Sequence, residues 1–171
     1  MNLTAEEKQF IRDHASDDAN RLLLGAKKYP QLDVPFLVDQ ILSRRQVREK
    51  LPSWYANEEL VFPAKIAAEQ CSSERTALYK QRLVSSSDKL CDLTGGLGID
   101  SYFFSRKVRR LTYIERFPVY CEAARHNFQV LGADNITVQN ENSVDIVSDL
   151  PEVDVFYLDP ARRIGSIKMT A

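Results

Sequence analysis

The run KLCDLTGGLGIDSYFF, residues 89–104, sets the tightest limit on what this chain can fold into. An apolar stretch ends on an acidic residue, a turn holding three of the six glycines follows, and the pattern then becomes helical. A strand that feeds a helix through glycines is a recurrent nucleotide-binding element. Glycine tolerates positive φ and close backbone approach, while the helix N-terminus presents free N–H groups. The rhythm then repeats. Residues 111–115 (LTYIE) read as a second strand, 118–131 as a helix ending near Gly132, 136–139 (ITVQ) as a third strand and 153–158 (VDVFYL) as a fourth. Strands alternating with helices indicate βαβ crossovers and a parallel sheet, so the fold class is α/β.

Upstream the periodicity is helical. Thr4 with Glu7 fits a capping box, each side chain meeting the other residue's free backbone N–H. Asp33-Val34-Pro35 reads as a helix start, since proline in the first turn lacks only an N–H that had no partner there. Phe36, Leu37, Ile41 and Leu42 recur at helical spacing, and Pro52 is expected to stop that run. Residues 51–63 carry two prolines and the only tryptophan, which suggests a boundary. Residues 64–83 return to helix, with a break near Ser72-Ser73. The expected organisation is a helical N-terminal accessory region over 1–62 and a Rossmann-like ligand-binding domain over 63–171.

Composition narrows the class of partner. With 23 Lys and Arg against 24 Asp and Glu, the net charge is −1, which argues against nucleic-acid binding by bulk charge alone. Cys71, Cys91 and Cys121 form no CxxC pair, and His14 and His126 lack ligand spacing, so neither a disulfide framework nor a metal site is expected. The N-terminus MNLTAEEKQF has no apolar core of a signal segment and no run suits a membrane span, so a cytoplasmic protein with no membrane partner is expected.

Three nucleotide readings compete for the turn. A P-loop would need lysine after its last glycine, and none is present. A dinucleotide fingerprint comes close, with Gly96, Gly98 and Ser101 in place and Glu115 at the end of the next strand. S-adenosylmethionine is the third. Asp92, directly ahead of the glycines, would repel a pyrophosphate but suits a cofactor that carries an ammonium and a sulfonium and no phosphate. The plain alternative is a structural turn with Asp92 as a helix cap. A second motif, YLDPARR at residues 157–163, puts Asp-Pro just beyond the fourth strand, at the edge where open α/β sheets bind ligands. There Asp159 and nearby carbonyls could hold an amino group, although Asp-Pro is also a common turn starter.

With both motifs in order, residues 89–163 resemble the class I S-adenosylmethionine-dependent methyltransferases. DLTGGLG resembles their motif I, Glu115 matches the acidic residue after the second strand, and DPAR resembles a variant of the [DN]PP[YFW] motif of amino-group methyltransferases. KLPSWY, FPAKIAAEQCSSERTALYK and DLTGGLGID carry a closer resemblance to bacterial methyltransferases with THUMP-like or ferredoxin-like accessory regions, and a more distant one to trimethylguanosine synthases. The resemblance implies that Asp92, Thr94, Gly95, Gly96 and Gly98 frame the methionine part of the cofactor and that Glu115 accepts from the ribose hydroxyls. It puts Asn142 where the adenine amino group is read, with Glu141 or a plain turn as alternatives. Asp159 and the Pro160 carbonyl would orient the acceptor. Arg162 stands where the family has an aromatic ring, and Ala161 replaces the second proline. The family normally continues with further strands after this motif, so a domain truncated after its fourth strand is expected.

The activity this implies is methyl transfer to an acceptor nitrogen, with RNA as the expected partner and S-adenosyl-L-methionine as the cofactor. Arg44, Arg45, Arg48 and Lys50 lead into Trp54-Tyr55, and Arg106, Lys107, Arg109 and Arg110 form a second basic run. Basic residues beside aromatics suit a single strand with stacked bases. A solvated helix face ending in a core tryptophan explains the first group equally well. An NAD-dependent oxidoreductase and a non-catalytic cofactor-binding domain stay open as alternatives, as do protein or small-molecule acceptors.

Overall fold

The computed structural model describes residues 2–146, 150 and 152–160, with the backbone of 163–164 and 167–168. Among the described residues six α-helices precede the first strand: α1 (Ala5–Asp13), α2 (Ala19–Leu24), α3 (Val34–Val47), α4 (Pro52–Ala56), α5 (Lys65–Gln70) and α6 (Glu74–Lys80). Then β1 (Lys89–Asp92), α7 (Ile99–Ser105), β2 (Arg110–Ile114), α8 (Pro118–Val130), β3 (Ile136–Gln139), α9 (Ser143–Ile146) and β4 (Val155–Tyr157) alternate. A two-residue antiparallel pair, β5 (Arg163–Ile164) with β6 (Ile167–Lys168), follows. The four main strands are parallel in the order β3-β2-β1-β4. Because β2 and β3 lie on one side of β1 and β4 on the other, the chain reverses its direction of winding between β1 and β4. That is where the carboxyl ends of the strands open a crevice. The fold is thus a helical N-terminal region followed by a Rossmann-like parallel sheet.

The caps form as the residue types dictate. Thr4 and Glu7 make the reciprocal capping box of α1, Asp33 Oδ1 accepts from Phe36 N at the start of α3, and Ser73 Oγ accepts from Thr76 N to start α6 after the Ser72-Ser73 break. Pro52 behaves differently from expectation. α3 already ends at Val47, and Pro52 opens α4 in a first turn that needs no N–H from it.

Five apolar side chains of residues 51–63 enter the core, while the polar ones stay outside. Leu51, Trp54, Leu60, Val61 and Phe62 are fully buried. Trp54, Leu60 and Phe62 share one apolar cluster with Leu97, Ile99 and Phe103 from the sheet-forming half. Two buried amides satisfy the backbone of this segment. Gln40 of α3 donates to Phe62 O (2.6 Å) and accepts from Phe62 N (2.9 Å), while Asn127 of α8 donates to Val61 O (2.8 Å) and accepts from Val61 N (2.9 Å). Buried backbone polar groups need such partners, and here each half of the molecule supplies one.

The first basic run is spent inside the fold. Arg44 is only 8% exposed and donates to the carbonyls of Tyr55, Asn57, Glu58 and Leu60, the tightest at 2.7 Å. Arg45 donates to Ala15 O and Asp17 O, and Lys50 to Glu69 O and Cys71 O. Trp54 meets Tyr102 edge-on and offers no stacking face. Of this group only Arg48, over the Tyr55 ring, keeps an exposed cation beside an aromatic. A core tryptophan with cations stapling backbone carbonyls is the outcome, and the nucleic-acid reading of that run loses its basis. In the second run Arg106, Arg109 and Arg110 stay exposed, while Lys107 donates to Gln81 O. Among the described residues no helix is long and apolar enough to cross a membrane.

Candidate active site

Residues 92–98 join the end of β1 to α7 and are tied to both neighbouring strands. On the β2 side Gly95 N donates to Ile114 O (2.9 Å), Gly96 N to Glu115 Oε2 (3.0 Å), and Tyr113 Oη to Gly96 O (2.6 Å). On the β4 side Leu93 N donates to Tyr157 O (3.0 Å), and Asp159 N donates to Thr94 Oγ1 (2.8 Å). Thr94 therefore joins the glycine turn to the Asp-Pro motif at the point where the sheet changes direction. Asp92 pairs with Tyr157 in register, which brings both strand ends level.

The three glycines are needed for different reasons. A Cβ on Gly95 would lie 2.3 Å from the Tyr113 ring, and one on Gly98 would lie 2.8 Å from the Phe128 ring. Those two hydrogens are demanded by packing beneath the turn. Gly96 (φ +54°) has nothing closer than Thr94 O at 3.7 Å and faces open space, so its glycine answers to the left-handed backbone alone.

Asp92 is fully buried and wholly engaged. Oδ1 accepts from Thr94 N (3.0 Å) and Oδ2 from Ser101 Oγ (2.6 Å). Burial pushes its carboxyl up to about 6, against the two hydrogen bonds that favour the charged form. It acts on the turn from inside and presents no face to solvent. Asp100, in the first turn of α7, is the next carboxylate and keeps 13% of its side chain exposed. Its Oδ2 accepts from Ser72 Oγ (2.9 Å), Lys80 Nζ (3.0 Å) and Tyr157 Oη (3.0 Å), whereas its buried Oδ1 has no partner among the described residues. Burial, followed by the charge and hydrogen bond of Asp100, drives the Tyr157 hydroxyl far above its ordinary range, so it remains a donor.

The other expected site residues are spread along the same edge. Glu115, half-buried at the end of β2, accepts from Gly96 N through one oxygen and from Phe117 N through the other (2.9 Å). Asn142 is exposed and its side chain donates to Asp145 Oδ2 (2.9 Å), the contact of a turn-shaping residue; among the described residues it bonds to none of the other expected ones. Asn140, unforeseen from the sequence, ties β3 to β2 by donating to the carbonyls of Glu115 (2.9 Å) and Arg116 (3.0 Å). Asp159 and Pro160 are exposed beyond β4. Ala161 and Arg162 lie outside the described residues. Lys80, Ser72, Asp100 and Tyr157 also went unforeseen, although Lys80 and Ser72 stand in the run FPAKIAAEQCSSERTALYK and Asp100 two residues past Gly98.

The chain superposes on a protein of Porphyromonas gingivalis W83 to which methyltransferase activity is ascribed, with a TM-score of 0.76 and 30% identity. The match takes in 95% of this chain and 43% of that one. This is a Rossmann-like methyltransferase fold. The chain spans under half the length of that relative. Looser likenesses reach a precorrin-6y C5,15-methyltransferase of Geobacter metallireducens GS-15 (TM-score 0.44, 25% identity, 48% of this chain and 45% of that one). They also reach an rRNA methylase of Streptococcus thermophilus (TM-score 0.41, 13% identity, 46% and 47%). At those scores neither carries an argument. No protein-family model matches the chain, and no curated protein does.

Proposed function

We propose that the chain binds S-adenosyl-L-methionine at the β1–α7 turn and presents an acceptor nitrogen, in RNA, to the methyl group at the β1–β4 crevice. The observation that carries this reading is the Asp159 N to Thr94 Oγ1 bond. It holds the glycine turn and the Asp-Pro motif side by side although 65 residues separate them.

The residues present suit that cofactor. Among the described residues Asp100 and Asp159 converge on one ammonium, Lys80, and Asp92 is buried within the adjoining turn, so the crevice favours a cationic ligand and opposes a pyrophosphate. The buried Oδ1 of Asp100 lacks a donor among the described residues, and the ammonium of the methionine moiety would supply one. Glu115 uses one hydrogen bond on each oxygen and keeps acceptor capacity for ribose hydroxyls. When bound, S-adenosylmethionine supplies a methyl group already on a strong electrophile, so this chain's share is positioning. Asp159 would accept from the acceptor's N–H and turn its lone pair inward, with the proton lost to solvent. RNA as acceptor draws on the exposed Arg106, Arg109 and Arg110 and on the Arg82–Tyr79 pair, which offers a cation beside an aromatic face.

Calorimetric titration with S-adenosylhomocysteine and with NAD tests the cofactor, and methyl-tritium transfer to total RNA tests the acceptor. Asp100→Asn should weaken S-adenosylhomocysteine by about tenfold while the fold persists, since one charged hydrogen bond is worth roughly 1.5 kcal/mol or more. Preference for NAD, or unchanged affinity in both Asp100→Asn and Glu115→Gln, would sink the assignment.

A further inference from the structure

Lys80 sits at the end of α6, upstream of the whole sheet, yet its ammonium reaches the crevice between β1 and β4. Nζ is 2.5 Å from Tyr157 Oη, 3.0 Å from Ser72 Oγ and from Asp100 Oδ2, and 3.4 Å from Asp159 Oδ2. It also lies over the Tyr157 ring, 5.1 Å from the centroid. An ammonium has three N–H donors, and Ser72, Asp100 and Tyr157 take them at short range. These contacts fix where the charge stands. Tyr157 Oη, which donates to Asp100 Oδ2 (3.0 Å), is likewise 3.4 Å from Asp159 Oδ2.

Asp159 is thus placed unlike the other two carboxylates. Its side chain is 52% exposed, and among the described residues both of its side-chain contacts fall on Oδ2 at 3.4 Å. Contacts of that length steer a carboxylate without saturating it. Its backbone N–H is held by Thr94, so two side-chain torsions are left to settle. The other oxygen, Oδ1, has no protein partner among the described residues.

We propose that Lys80 is a positioning residue for the acceptor-binding carboxylate: anchored by Asp100, Tyr157 and Ser72, its ammonium draws Asp159 by Oδ2 and leaves Oδ1 to receive the acceptor's N–H. The proposal rests on the reading of Asp159 as the group that meets the acceptor. It assigns a function to a residue outside the glycine turn and outside the Asp-Pro motif. It also explains why a lysine suits the place. A compact ammonium can serve acceptors in several directions, which the planar fork of arginine does less well.

The test uses the full chain, labelled with carbon-13 at aspartate carboxyls and read at one fixed pH. In Lys80→Met and in Lys80→Gln, which keeps a donor for Asp100 and Ser72, the Asp159 carboxyl resonance should move while that of Asp92 stays. Lys80→Arg should recover most of the displacement, because it restores the charge. Methyl transfer to total RNA should lose about tenfold or more in kcat in the Met and Gln variants, with KM for S-adenosylmethionine little changed. An Asp159 resonance that stays put in a folded Lys80→Gln protein overturns the positioning role, whatever happens to activity. A resonance that moves as expected, with Asp159→Asn methylating RNA like the wild type, instead overturns the acceptor role of Asp159 on which the proposal rests.

Discussion

The helical layer and the β1–β4 crevice treat charge in opposite ways. In the helical layer cations are spent on backbone: Arg44 meets four carbonyls, and Arg45 and Lys50 two or more each. At the crevice two carboxylates, Asp100 and Asp159, share the ammonium of Lys80, and among the described residues a buried oxygen of Asp100 goes without a donor. A charge that staples backbone answers to stability. A charge left under-compensated at a sheet's carboxyl edge costs stability, and such costs concentrate at functional sites.

The contrast can be broken most forcefully through Trp54, which is fully buried where the two halves share a cluster. Trp54→Ala should cost about 3–5 kcal/mol in urea unfolding. The loss should appear in a single transition detected equally by probes on the helices and on the sheet. Two separate transitions would show that the shared cluster does not couple the halves.

The glycine turn offers a sharper comparison within the site itself. Gly95→Ala places a methyl 2.3 Å from the Tyr113 ring and should cost about 3 kcal/mol, with S-adenosylhomocysteine binding lost. Gly96→Ala meets nothing nearer than 3.7 Å and pays only for φ +54°, about 1–2 kcal/mol. Equal losses in the two variants would mean that packing beneath the turn is not what selects glycine at 95.

Asp92 gives the pH signature of the crevice. A carboxyl pushed up from 3.8 to about 6 binds its proton more tightly in the folded state than in the unfolded one. It therefore favours the fold most below about pH 4, and this contribution is lost as pH rises through about 6, a change of roughly 3 kcal/mol. Asp92→Asn, in which Ser101 can turn to accept, should flatten the stability profile across that window. A profile as steep as the wild type's would place the titrating group elsewhere.

Much of the frame was legible because its causes are local. The capping box, the Asp33 cap, the Ser72-Ser73 break and the strand–glycine–helix rhythm depend on residues within a few positions of one another. Asp92 stood out in the sequence, but where its carboxylate points did not. The sequence suggests a charge offered to a ligand, whereas the fold buries it under Thr94 and Ser101. Asn142 shows how local contacts also escape the sequence, since its amide nitrogen donates to Asp145 three residues away.

By itself the sequence determined the order of helices and strands, the left-handed turn at Gly96 and Gly98, and the meeting of an acidic turn with an Asp-Pro motif at one sheet edge. Periodicity and backbone sterics act over short spans, so they can be read from the residues in order. Only the tertiary structure decided that Trp54 is core, that Arg44 is a staple and that Lys80 stands among Asp100, Tyr157 and Asp159. Lys80 and Tyr157 are 77 residues apart, and no local pattern records a contact at that separation. It exists because the winding of the sheet returns β4 to the side of β1 on which α6 ends.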